Sequence, residues 1–342
     1  MPDTYKIAIV GAASLRGKEL NETLNDSIFS ASDFVLMDDE SSLGQLEAVG
    51  DEVTFIQRIE PDAFNGVDFV FFTGPQDVTR KHWQNAHKAG ASIIDMTYEL
   101  ESQPGALVRA PWVQESGTTP DLKTTAVSPA HPAALVLALL LKRAQTVTKV
   151  VSASATILEP ASEYGRTALD ELHQQTVGLL SFQSLPKELY DTQVAFNVVS
   201  GLGESAKISL ISSEARIRRH YETLAEGALP KVMVQLLHVP VFHGYGISLA
   251  ISYKDPVTVE HFEAALSGDH VDVILGEAEA PSNLSSAGQS DILVRARTAD
   301  GTELQTKNFW VWIVADNLKL ASLNAVACAE ELRRLRPQGK VQ

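Results

Sequence analysis

Residues 11–17 read GAASLRG and stand where an apolar run gives way to helical spacing. The chemistry such a loop offers is anion binding. Small residues let the backbone approach a pyrophosphate, and the helix N-terminus adds N–H groups and a positive dipole. Gly11 and Gly17 hold the outer positions, Ala13 is small, and Ser14 puts a side chain where a phosphate would approach. Two readings stand side by side: a weakened nucleotide loop, or a glycine pair kept for tight strand–helix packing. The next strand ends in Asp38-Asp39-Glu40. A carboxylate there hydrogen-bonds the ribose hydroxyls of NAD, whereas the extra phosphate of NADP calls for Arg or Lys. NAD is therefore the expected dinucleotide and NADP is disfavoured; the alternative is an acidic turn facing solvent.

The chain has one cysteine, Cys328, which excludes an intrachain disulfide and any CxxC site. Ala325, Leu332 and Leu335 share its helical stripe, the spacing of a packing thiol rather than a nucleophile. Nine histidines occur without HxH or HExxH spacing, and no metal is expected. His238 and His243 are five apart, which on a strand turns them to opposite faces. Arg216-Ile-Arg218-Arg219-His220 is the one dense basic stretch; it reads as a solvated helix face or, alternatively, as an anion contact.

The elements that must position these groups follow from periodicity. Residues 6–10 and 33–37 read as strands with a helix over 17–24 between them; 67–73 (VDFVFFT) is apolar throughout, as in a strand covered on both faces. A helix over 80–88, a stop at Gly90 and a strand over 92–95 continue the alternation, which implies a doubly wound parallel sheet. Gly74 follows the third strand and joins the candidate cofactor-contacting set. A turn over 128–132 feeds a helix over 133–142. Beyond it, residues 149–158, 207–212, 231–237, 246–253, 292–298 and 309–315 read as strands of a largely antiparallel α+β domain. The last helix ends near Leu335. The expected domains are 1–130, completed by a C-terminal helix over 316–337, and 131–315.

Length and composition bound the function. The 342 residues are 44% hydrophobic, ample for two cores. A formal charge of -15 repels nucleic acid and anionic lipid, so neither is an expected partner. The most apolar later segment, 132–141, is about half a membrane span. The N-terminal apolar run is of strand length with no basic region before it, and a cytoplasmic location is expected.

Taken together these segments resemble the aspartate-semialdehyde dehydrogenase family, above all its USG-1-like members, over nearly the whole chain. The family's GATGAVG is similar to residues 11–17, its VIDNSSAFR to 94–101, its NPNC to Ser128-Pro129-Ala130-His131 and its QxAFN to 193–197. Its RVPVxxGH resembles 238–245 and its SDNLRKGAALNA resembles 315–325, which places Asn317 with the cofactor-contacting residues. The resemblance implies a Rossmann-like domain, a dimerisation and substrate domain, and a homodimer. It also implies a site at which the family forms a thioester on cysteine. His131 stands at the position of that cysteine, Tyr245 at that of the catalytic histidine, and His238 at that of the substrate-carboxylate arginine. Glu101 stands for the phosphate-binding arginine, Glu159 for the substrate-contacting glutamine, and Arg216 for a lysine. Imidazole cannot form the thiohemiacetal, and two carboxylates repel the anions such a site gathers. The implied function is a binding or regulatory homodimer that has lost the reaction. The alternative is a cysteine-free, NAD-dependent oxidoreductase in which His131 and Tyr245 move protons and Glu159 orients the histidine.

Overall fold

The computed structural model describes residues 4–39, 44–49, 52–114, 119–276, 278–299, 301 and 304–335. The chain divides into two compact units, Met1–Ala130 with Ala321–Gln342, and His131–Leu320.

Among the described residues the first unit is built on β1 (Lys6–Val10), β2 (Asp33–Asp38), β5 (Gln57–Arg58), β6 (Phe69–Phe72), β7 (Ser92–Asp95), β8 (Ala106–Arg109) and β9 (Ala126–Pro129). All seven are parallel, in the order β5-β2-β1-β6-β7-β9-β8. A separate hairpin pairs β3 (Leu46–Val49) with β4 (Glu52–Phe55). Alternation along each strand sorts the sheet's side chains into two cores. Ile7, Ile9, Phe69, Phe71, Ile94 and Val127 meet Leu20 and Leu24 of α1 (Leu15–Asn25), together with Ala325, Cys328 and Leu332 near the C-terminus. Ala8, Val10, Val70, Phe72 and Ile93 face the other way, with Ala86 of α2 (Gln76–Lys88). Helices thus cover both faces, as the apolar β6 run predicted.

The second unit carries a mixed six-stranded sheet, β11-β10-β12-β15-β14-β13. Its strands are β10 (Val150–Glu159), β11 (Val232–His238), β12 (Tyr245–Thr258), β13 (Val271–Val273), β14 (Ile292–Thr298) and β15 (Gln305–Ala315). The three central pairings are antiparallel, and the edges β10-β11 and β13-β14 are parallel. Four helices accompany it: α3 (Pro132–Ala144), α4 (Arg166–Leu180), α5 (Leu210–Ala225) and α6 (Val259–Leu266). The other sheet face presents a registered row Met233–Ser154–Ala250–Trp310, with Met233 72% and Trp310 38% exposed. The last helix, α7 (Asn317–Arg333), belongs to the first unit from Ala321 onward.

Two expectations are corrected. Residues 207–212 are not a strand: they lead into α5, whose N-cap Ser209 accepts the N–H of Ser212. Burial at Leu210, Ser213, Ile217, His220, Tyr221 and Leu224 then follows a helical stripe. His220 accordingly leaves the solvated basic face, being buried, while Arg218 and Arg219 stay exposed. Glu40 and residues 336–337 lie outside the described residues.

Candidate functional site

The glycine loop sits at the carboxyl end of β1 and is held by the chain itself. Gly11 has φ +90°, and a Cβ there would lie 2.3 Å from the Gly74 nitrogen; one on Gly17 would lie 2.4 Å from the Gly11 carbonyl oxygen. Packing alone therefore demands both glycines. The loop's donors also find partners inside the unit. The N–H groups of Gly11 and Ala12 go to the Met37 carbonyl and that of Ser14 to the Gly11 carbonyl. Ser14 Oγ accepts the Gly17 N–H at 3.0 Å and donates to the Thr73 carbonyl, capping α1. Asp38 does not face solvent: it is 8% exposed, and its carboxylate accepts the N–H groups of Ala13 and Asp39, each at 2.8 Å. A dinucleotide fits these residues poorly. The Ser14 hydroxyl and the Asp38 carboxylate, which would meet pyrophosphate and ribose, are turned to the loop's own backbone.

Glu101 is half-buried in the turn after β7. That turn is organised by buried Asp95, whose carboxylate accepts from Thr97 and from the Leu100 N–H. Cys328 is fully buried in the α1/α7 core, 3.8 Å from the Arg109 carbonyl oxygen. Burial pushes its thiol well above the ordinary range, so it holds its proton at neutral pH.

In the second unit the residues meet in one buried network. His131 is the N-cap of α3, and its Nδ1 accepts the Ala133 N–H at 3.3 Å. In the neutral ring that leaves the proton on Nε2, which stands 3.5 Å from Tyr245 Oη and 3.6 Å from Glu163 Oε1. The His131 backbone N–H donates to Nδ1 of His220 at 2.9 Å. Glu163 faces His131 because the short turn Ala161–Tyr164 after β10 carries it there. Asn317 then ties this turn down. Its Oδ1 accepts from Ser162 Oγ and the Gly244 N–H, and its Nδ2 donates to Glu163 at 3.4 Å. With Nδ1 bound to backbone and Nε2 carrying the proton, His131 offers no lone pair for nucleophilic attack.

Glu159 and His238 form a second cluster. They are a register pair at the ends of β10 and β11, both 0% exposed. Tyr164 Oη donates to Glu159 at 2.8 Å and lies 3.0 Å from Ser213 Oγ. The Tyr190 ring stacks against His238 with centroids 4.9 Å apart, and the Tyr164 ring lies at 6.4 Å. Burial lowers the His238 pKa to about 4, so the ring is neutral. Burial, then the Glu159 charge, raises the Tyr164 hydroxyl well above its ordinary value. His243 is exposed. Among the described residues no group of three His, Cys, Asp or Glu could hold a metal, and no helix is long and apolar enough to cross a membrane.

Sequence reasoning missed Glu163, His220, Tyr164 and Tyr190. Glu163 and Tyr164 lie in the Ser-Glu-Tyr-Gly turn just after Glu159, a signal that was in view; His220 and Tyr190 have none, since their partners are tens of residues away.

The first unit is thus a parallel sheet with a self-held glycine loop, and the second a mixed α+β sheet. Residues 6–119 match the semialdehyde dehydrogenase NAD binding domain, and residues 140–320 match the semialdehyde dehydrogenase dimerisation domain. The chain belongs to the aspartate-semialdehyde dehydrogenase family. It is 28% identical to a USG-1 protein homolog of Azotobacter vinelandii, over 97% of this chain and 98% of that one. It is 27% identical, over the same shares, to an aspartate-semialdehyde dehydrogenase of Rickettsia conorii. The crystal structure of aspartate semialdehyde dehydrogenase II from Vibrio cholerae shares the fold at TM-score 0.86 and 21% identity, covering 97% of this chain and 99% of that one. Family membership, with a capping histidine at the cysteine position and the one thiol in a core, supports loss of the thioester-forming reaction.

Proposed function

We propose that this chain acts as a binding or regulatory homodimer on a semialdehyde dehydrogenase scaffold, without the aldehyde-oxidising reaction. The observation that carries this reading is the state of its one thiol. Cys328 is fully buried and protonated, in the first unit's core, and nothing else in the chain can store an acyl group on sulfur. The exposed row Met233–Ser154–Ala250–Trp310 supports the dimer. Small central residues give a flat face, and its apolar ends gain from burial against a second copy. The test is incubation with aspartate semialdehyde, phosphate and NAD or NADP, followed by absorbance at the nicotinamide band and intact mass. Neither turnover nor an acyl adduct is expected, and an adduct on Cys328 would overturn the proposal. Light scattering is expected to give twice the chain mass.

A second reading, a cysteine-free oxidoreductase, draws on the 3.5 Å approach of Tyr245 to His131 beside Glu163. It asks for a dinucleotide, for which Asp38 would have to release the Ala13 N–H and turn to the ribose, a carboxylate position that suits NAD better than NADP. Calorimetry with both nucleotides decides it: no heat from either removes this reading, and heat from NADP alone removes the preference.

A further inference from the structure

We propose that the Glu159–His238 cluster binds a primary ammonium group, alone or as the head of a small amine, reversing the charge of ligand that the family's site gathers. This deepens the binding-protein reading and rests on it. The first observation is an unsatisfied side chain: neither ring nitrogen of His238 has a hydrogen-bond partner among the described residues, and the residue is fully buried. A buried polar group left dry keeps its full desolvation cost, so a ligand or water that completes it is favoured. The second is the direction of the ring. His238 is the register partner of Glu159, so both side chains rise on one face, and both meet Tyr164.

The third observation is charge. The charged groups acting on Tyr164 are Glu159 and Glu163, and those acting on Tyr190 are Glu171 and Glu159. Each is a carboxylate. A small anion placed here meets negative charge in a dry surrounding, where Coulomb repulsion is strong. An ammonium group meets complementary partners instead: a carboxylate, the lone pair of a neutral imidazole, and the ring faces of Tyr190 and Tyr164. Neutrality of the imidazole matters, because a charged ring would have no lone pair and would repel the cation. Burial secures it, holding the pKa near 4. Two oxygen or nitrogen ligands are too few for a divalent metal, which leaves a hydrogen-bonding cation as the matching class.

The experiment uses the full chain at pH 7, with ammonium or methylammonium chloride titrated at constant ionic strength against sodium and potassium chloride. Thermal unfolding is expected to rise saturably, by several degrees, with the two ammonium salts only. The imidazole resonances of His238 should move along the same binding curve, a readout that needs no variant. Glu159→Gln is expected to weaken the response at least tenfold. An equal response to sodium or potassium, a response to succinate instead, or unmoved His238 resonances would each overturn the proposal. A tenfold weakening missing from a folded Glu159→Gln protein would overturn it as well. Acyl transfer onto Cys328 would sink the binding-protein reading without touching this titration, so the two failures are distinguishable.

Discussion

The glycine loop of the first unit and the histidine networks of the second have met the loss of family chemistry in different ways. In the loop, Gly11 and Gly17 remain because backbone meets backbone, and the ligand-facing groups have turned inward: Ser14 onto Gly17 and Asp38 onto Ala13. In the second unit the substituted positions are joined to each other through new partners, Glu163 to His131 and Tyr164 to Glu159. Residues fixed by sterics persist whether or not a ligand is held. Residues fixed by chemistry are free to change once the chemistry goes, and here most have found hydrogen-bond partners in a dry interior, with the His238 ring the exception.

The largest effect that would break this comparison lies in the loop. Gly11→Ala puts a Cβ 2.3 Å from the Gly74 nitrogen at φ +90°, where neither backbone can yield. A loss of roughly 4 kcal/mol in urea unfolding is expected, with or without NAD present. A loss below about 1 kcal/mol would mean that packing does not explain the glycines, and a ligand would have to.

The next effect probes the second unit by pH. The His238 ring is held neutral down to about pH 4 in the folded chain, whereas an unfolded histidine protonates near 6.5. Above pH 6.5 the ring is neutral in both states and stability is complete. Between 6.5 and 4 only the unfolded chain takes up the proton, so stability falls with pH, by about 3 kcal/mol in total. Urea midpoints from pH 7 to 4 should follow this slope, and His238→Gln should flatten it. An unchanged slope in a folded His238→Gln protein would show the ring to be solvated.

How far the sequence foretold these regions differs for the same reason. The parallel sheet was legible because 6–10, 67–73 and 92–95 are short apolar runs punctuated by Gly11, Gly74 and Gly90. The α1/α7 core was legible because Ala325, Cys328 and Leu332 repeat at helical spacing. Residues 207–212 misled because Ile208 and Leu210 alternate with polar residues. That pattern is also what a helix entry shows when Ser209 serves as its cap. The networks were the least visible. Glu159 was named to orient His131, whereas Glu163, four residues on in the turn after the strand, went unnamed although its carboxylate reaches the His131 ring. Nothing local marks His220, which accepts a hydrogen bond from a backbone N–H 89 positions away.

A smaller test concerns Cys328. As a packing group it should be replaceable by alanine at a cost of about 1 kcal/mol, measured by urea unfolding, with no change in any nucleotide- or ligand-linked signal.

The smallest effect is the most discriminating about His131. If its ring serves as the cap of α3, His131→Ala should cost about 1 kcal/mol, the usual value of a lost N-cap. His131→Asn should recover most of that, because an amide oxygen at the cap position also accepts the N–H two or three residues on. A residue that moves protons behaves otherwise, since asparagine cannot titrate and recovers nothing. Chemical denaturation of the two variants, alongside any ligand-linked signal found for the wild type, therefore separates cap from acid–base group. Recovery by asparagine of stability and signal together leaves the helix terminus as the reason for histidine here. Recovery of stability alone would return His131 to the chemistry of the site.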